Sequence, residues 1–287
     1  MRSVIKCGLL LWGCSFLFVS VCSQGAQPSY DYLPANEVTQ LDLGEQTSLA
    51  LVRSWRGHHQ YGTAILLADL GQHADPSGVT AYLRRHLNDK GWATISLSAP
   101  HAAPTINHKT DAEEINKAGE QQLVLKATQR LPHLSPDEWQ NLRQQQNNQF
   151  IQIMDRLDAL GQPYPGKRML IATDQSAGLM IQLLYAGTLP KPDLLVLINP
   201  YLTPAQDNAH LAEQLAQLAI PVLDILSPDA TPNAIATAAE RRALSPQNQP
   251  LRYQQQPLAL NLDQPSAWQN TLALIDGFAR RIAKAYP

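Results

Sequence analysis

Cysteine is almost missing from this chain. Of 287 residues only Cys7, Cys14 and Cys22 are cysteine, and all three lie near the start. Beyond them there is no thiol, so a disulfide, a Cys nucleophile and a Cys-ligated zinc are excluded from the remainder. Histidine is missing from the C-terminal part: the eight are His58, His59, His73, His86, His101, His108, His133 and His210. Clusters of basic residues are missing as well. Without Arg2 and Lys6 the 22 basic residues fall to 20 against 24 acidic ones, a net charge of −4. With no Lys/Arg stripe, nucleic acid and anionic membrane are poor partners.

What is present begins with a targeting segment. Arg2 and Lys6 precede an uncharged apolar run, Cys7 to Val21. Its length suits a signal-peptide core and is short for a membrane span. Residues 1–23 are therefore expected to be a signal peptide and 24–36 a polar leader. Export, to a bacterial periplasm, is the expected destination, with no membrane span after cleavage. Lipid anchoring through Cys22 is the alternative; Val21 is large for the residue before such a site.

At 287 residues and 44% hydrophobic, the chain can bury one sizeable core, expected in residues 37–287. Val38–Leu43 and Thr47–Val52 flank Gly44-Glu45-Gln46 and predict an antiparallel hairpin. Thr63–Ala68 is a continuous apolar run, as in a strand covered on both faces. Val79, Leu83 and Leu87 mark a helix that Gly91 ends, and Ala93–Leu97 is the next strand. Residues 98–134 show no strand pattern and predict a helical excursion over the sheet. Ser135-Pro136-Asp137-Glu138 is a capping box, opening a helix that runs to Gly161. Its Gln144–Gln149 run is expected to be solvated. Strands follow at Met169–Thr173, Leu194–Ile198, Val222–Leu226 and Leu251–Leu258, with helices at Ala209–Leu218, Asn233–Leu244 and around Trp268–Ile282. Pro257 marks the last strand as an edge.

About eight strands alternating with helices predict an α/β class: a doubly wound, mostly parallel sheet in three layers. One turn in it is distinctive. Asp174-Gln175-Ser176-Ala177-Gly178 lies between a strand and a helix, one residue from Gly-x-Ser-x-Gly, the nucleophile elbow. Gly178 fits that pattern and Asp174 does not. Together with Gly62–His73, Gly91–Leu97, Pro221–Asp224 and Tyr253-Gln254, the chain resembles an exported bacterial family within the α/β-hydrolase superfamily. The resemblance implies the α/β-hydrolase fold. It implies no substrate, because that family has no agreed activity.

Acyl hydrolysis on this fold needs a Ser nucleophile, then an acid, then a His, in that chain order. Ser176 takes the first place, unless it is only a small residue at a helix start. Asp229, in Ser227-Pro228-Asp229, takes the second, unless it is an ordinary turn; Asp224, within its strand, is the lesser candidate. No His takes the third. The loop there reads Asn261-Leu262-Asp263-Gln264-Pro265, which holds no general base of pKa near 7. His101 or His73, each after a strand of the βαβ unit, could serve as a relocated base or simply bond loop backbone. Asp69, His73, Asp75 and His101 can be drawn as a metal set, but no tight ligand spacing supports it, and neither metal nor cofactor is expected.

Two functions follow. In the first, the chain is a non-catalytic hydrolase-like module with a degenerate triad, binding a small molecule, glycan, lipid or envelope protein. In the second, it is a serine carboxylic-ester hydrolase that uses Ser176 with a relocated His. The missing base favours the first.

Overall fold

The computed structural model describes residues 28–44, 47–104, 134–248 and 252–286. The expected signal peptide, its three cysteines and most of the 98–134 excursion lie outside those residues. The chain divides into two units, Met1–Tyr30 and Asp31–Pro287. Of the first only residues 28–30 are described; the second is the sheet and its helices. Among the described residues no helix is long and apolar enough to cross a membrane.

Eight strands form one sheet in the order β1-β2-β4-β3-β5-β6-β7-β8. They are β1 Val38–Asp42, β2 Thr47–Arg53, β3 Gly62–Leu67, β4 Trp92–Leu97, β5 Lys167–Thr173, β6 Leu194–Ile198, β7 Val222–Leu226 and β8 Tyr253–Pro257. β1 pairs with β2 antiparallel, from Val38 opposite Leu51 to Asp42 opposite Thr47, and β2 pairs antiparallel with β4. Every other pairing is parallel. Gly44 turns the hairpin in the left-handed region, φ +91°, with its N–H on Asp42 Oδ1 at 2.8 Å. Pro257 sits in β8, the edge strand, where the missing N–H breaks no ladder between two neighbours.

The helices are α1 Val79–His86, α2 Pro136–Asp155, α3 Leu157–Gly161, α4 Asp174–Tyr185, α5 Ala205–Ala209, α6 Leu211–Ala216, α7 Pro232–Asn248 and α8 Pro265–Ala285. The period-2 alternation of the strands sorts the core into two layers. Ile65, Leu67, Leu170, Ala172, Leu195 and Leu197 face one side, under Phe150 and Ile153 of α2 and the apolar stripe of α4. Ala64, Leu66, Met169, Ile171, Val196 and Ile198 face the other, under Leu83 of α1 and Ile275, Phe278 and Ile282 of α8. Each fully buried Leu or Ile stabilises the sandwich by about 1.5–3 kcal/mol.

The expected capping box is present: Ser135 Oγ accepts from Glu138 N–H at 3.3 Å, and Ser135 N–H donates to Glu138 Oε2 at 2.7 Å. Three details depart from the sequence reading. The 135–161 helix breaks at Arg156, and the 209–218 helix breaks at His210. The Gln144–Gln149 run is not wholly solvated, because Gln146 is buried and its Nε2 donates to the His101 carbonyl at 2.8 Å.

The winding matters for the site. From β3 the chain crosses to β4 on one side; from β5 it crosses to β6 on the other. The carboxyl ends of β3 and β5 therefore flank a switch in direction, where open α/β sheets leave a crevice for ligands.

Candidate functional site

The turn after β5 has a different register from the one read in the sequence. Asp174 carries the positive φ, +52°, and α4 begins at that residue with no intervening turn. Aspartate is among the few side chains that enter the left-handed region, since its short carboxyl costs little there. The sharp bend is therefore at Asp174, and the small residues that let strand and helix pass are Ala172 and Ser176, two before and two after it. Gly178 suggested the other register, but it answers a separate need. A Cβ on Gly178 would collide with the Tyr201 carbonyl oxygen, so the glycine lets α4 lie against the segment after β6.

Ser176 consequently sits in the first turn of α4. It is 0% exposed, and its Oγ has no hydrogen-bond partner among the described residues. Neither candidate imidazole bonds to it. His73 Nδ1 accepts from Asp75 N–H at 3.2 Å. His101 is exposed.

The residue that does reach the bend comes from the end of β3. Asp69 Oδ1 accepts the N–H of Leu70 at 2.8 Å and that of Gln175 at 2.9 Å, and the carboxylate also takes a backbone hydrogen bond from Ser176. Burial raises its pKa, against the lowering pull of those three N–H groups. On a nucleophile elbow, the N–H of the residue after the nucleophile is an oxyanion donor. Gln175 is that residue here, and Asp69 holds its N–H.

Asp174 itself is pushed up to about 8, first by burial, then by the charges of Asp69 and Asp229. At neutral pH its carboxyl therefore keeps its proton. Tyr201 is pushed up to about 12, chiefly by burial and then by Asp69 and Asp174. Its N–H donates to the Asp174 carbonyl at 3.3 Å. Thr203 Oγ1 donates to Gln175 Oε1, fixing the side chain after the bend.

Asp229 lies after β7, exposed, with both oxygens on the N–H of Leu262 at 3.1 and 3.0 Å. Asp224, the lesser acid candidate, is fully buried. It is held by Arg241 Nε at 2.8 Å, Tyr253 OH at 2.7 Å and Gln255 Nε2 at 3.1 Å, which makes it a packing element. Asp75 is likewise committed, to Arg84 Nε at 2.9 Å and Tyr32 OH at 2.9 Å. Among the described residues no three His, Cys, Asp or Glu side chains converge as a metal ion requires, so the drawn set of Asp69, His73, Asp75 and His101 is not assembled. What the sequence reading missed was the bend at Asp174 and its contact with Asp69. The signal was there: Ala172-x-Asp174-x-Ser176 satisfies the small-residue rule at both positions, whereas the Ser-centred register satisfies it at Gly178 alone.

Solved structures share the architecture. Dienelactone hydrolase from Anabaena variabilis superposes with a TM-score of 0.53 at 14% identity, over 85% of this chain and 96% of that one. Est1E from Butyrivibrio proteoclasticus gives 0.58 at 9%, over 86% and 99%. A soluble variant of monoglyceride lipase from Saccharomyces cerevisiae gives 0.58 at 9%, over 90% and 99%. Identities this low carry the α/β-hydrolase fold and nothing of substrate. No curated protein matches the sequence. A family model described as a protein of unknown function, DUF3530, matches residues 20–281, and the chain belongs to that family.

Proposed function

We propose that this α/β-hydrolase-fold protein is a non-catalytic binding module of the bacterial envelope. The observation that carries the reading is the Asp69 carboxylate on the Gln175 N–H at 2.9 Å. Acyl transfer needs that N–H free to receive the negative charge of a tetrahedral intermediate. A carboxylate already there takes the donor and repels the incoming charge. The bend carries Asp174 in place of Ser, and its raised pKa leaves it protonated and a poor nucleophile at neutral pH. Asp229 spends both oxygens on Leu262 N–H, where a catalytic acid would hold an imidazole. The carboxyl edge at the β3/β5 switch then serves to hold a ligand: a small molecule, a glycan, a lipid, or a segment of an envelope protein. Export through residues 1–23 and a periplasmic setting, with lipidation of Cys22 as the variant form, belong to the same reading.

A fluorophosphonate probe and short-chain p-nitrophenyl esters test it. Wild type and Ser176→Ala should both stay unlabelled and hydrolyse esters at the buffer rate. Labelling of wild type that is lost in Ser176→Ala would overturn the reading and restore the serine esterase with a relocated His.

One observation favours a second reading. Asp174 occupies the bend, where the nucleophile stands in an active hydrolase. Once ionised, its carboxylate could attack the carbon of an alkyl halide or epoxide and form an ester, expelling halide or opening the ring to an alkoxide that takes a proton from water. Incubation with an alkyl halide or epoxide above pH 8, followed by intact-protein mass, decides this: an adduct absent from Asp174→Asn supports it.

A further inference from the structure

A concavity lies at the edge of the sheet opposite the bend. It is a cavity of about 330 Å³ at the amino ends of β3, β4 and β5. Ile65, Ile95 and Leu170, one from each strand and all on the same face, form its floor. Met154 and Leu157 roof it where the helix breaks between α2 and α3. The gap has a cause in the chain. The helix ends at Gly161, and the return to β5 passes through Gly166, which has φ +123° and lies so close to the Tyr61 carbonyl that a Cβ there would collide with it, so this turn packs against the chain before β3 and not over the strand face.

The mouth is charged. Arg168 continues the Leu170 and Ala172 row of β5 toward the amino edge, so the alternation of the strand places it on the cavity face. It is exposed, it lines the cavity, and its guanidinium has no ion-pair partner among the described residues. Asp158 lines the same mouth, also exposed, and makes no ion pair with Arg168. Along β5 the distance from Arg168 to Asp174 is about 20 Å at ~3.3 Å per residue. The cavity is thus separate from the bend.

We propose that this amino-edge cavity binds a small amphipathic carboxylate. An apolar body would lie on Ile65, Ile95 and Leu170 beneath Met154 and Leu157, and the carboxylate would meet Arg168. A cavity near the lower end of the usual 300–1,000 Å³ range for ligand pockets suits a medium-chain acid rather than a whole two-chain lipid. A guanidinium with no ion-pair partner among the described residues, at the rim of apolar walls, selects for charge of the opposite sign and offers two parallel N–H groups. The site is independent of the reading given for the bend.

Calorimetric titration of the full chain with sodium decanoate, kept below micelle formation, tests the proposal, with decanol as the uncharged control. Wild type should bind decanoate saturably at one site. Arg168→Gln, at an exposed position, should weaken decanoate by about fivefold to tenfold, the loss of one charge-assisted contact, and leave decanol unchanged. Asp158→Asn should leave decanoate binding equal or tighter. Met154→Trp, filling the cavity from its roof, should abolish both ligands; if that variant does not fold, the Arg168→Gln result decides. No saturable decanoate binding, or equal affinity in wild type and Arg168→Gln, overturns the proposal.

Discussion

Asp229 grips the backbone N–H of Leu262 with both carboxylate oxygens, at 3.1 and 3.0 Å. A carboxylate after β7 that reaches the loop after β8 is half of a proton relay in an active hydrolase. In this chain the partner is main chain, so the contact positions a loop. Trp268 Nε1, donating to the Leu262 carbonyl at 2.6 Å, clamps the same residue from α8.

That contact predicts a structural effect without a chemical one. Asp229→Ala should cost about 1 kcal/mol, the usual net value of a hydrogen bond at a solvated site. Amide exchange at Leu262 should accelerate, while ester hydrolysis stays at background. Protection at Leu262 unchanged in the variant would show the loop to be held by Trp268 alone.

The Asp174 carboxyl predicts a pH dependence. Its pKa rises from 3.8 to about 8 on folding, through burial and then the charges of Asp69 and Asp229. Below pH 3.8 folded and unfolded chains both hold the proton, and the group contributes nothing. Between that pH and about 8 the unfolded chain releases it and the folded chain does not, so rising pH favours unfolding. Above about 8 the penalty is constant. Asp174→Asn, which tolerates the same backbone, should raise stability at pH 7 by on the order of 1–3 kcal/mol and little at pH 3.5. Urea denaturation at both pH values checks this; an equal gain at both would mean that the proton is not the cause.

Ser176 predicts almost nothing, and that is informative. Its Oγ is buried without a partner among the described residues. Ser176→Ala removes a desolvated hydroxyl and should be neutral or stabilising by up to about 1 kcal/mol. A loss greater than that in thermal or urea unfolding would mean that the hydroxyl makes a bond the described residues do not contain.

The buried pair of Arg241 and Asp224 predicts strong coupling. Both side chains are 0% exposed. Arg241 Nη1 also donates to the Thr237 hydroxyl and to the Ala234 carbonyl at 3.2 Å. Arg241→Met leaves an uncompensated buried carboxylate and should cost about 3–5 kcal/mol. Adding Asp224→Leu should recover much of that. A double variant no more stable than Arg241→Met would place the cost in lost packing instead.

The strands were legible because a short apolar run is a local property. In Thr63–Ala68 and Leu194–Ile198 every residue is apolar or small, which only a strand covered on both faces tolerates. Ser135 and Glu138 named their helix start because each bonds the other's backbone within three residues. The breaks at Arg156 and His210 were not legible, since the apolar spacing continues across them. Gln146 was not legible either. A glutamine in a polar run looks solvated until a loop distant in sequence brings the His101 carbonyl to it.

The site shows the same division. Apolar periodicity and capping determined, by themselves, the eight strands, the hairpin that opens them and the helices between; the absence of His after residue 210 determined that no base stands in its ordinary place. The tertiary structure alone decided which residue is the bend. Asp174 has small residues two positions away on both sides and Ser176 on one side alone, and the positive φ at 174 decides between them. It alone decided that Asp69 holds the Gln175 N–H, because that bond joins residues 106 positions apart. Contacts across such a separation depend on how the strands are ordered in the sheet, and spacing along the chain carries no record of that order.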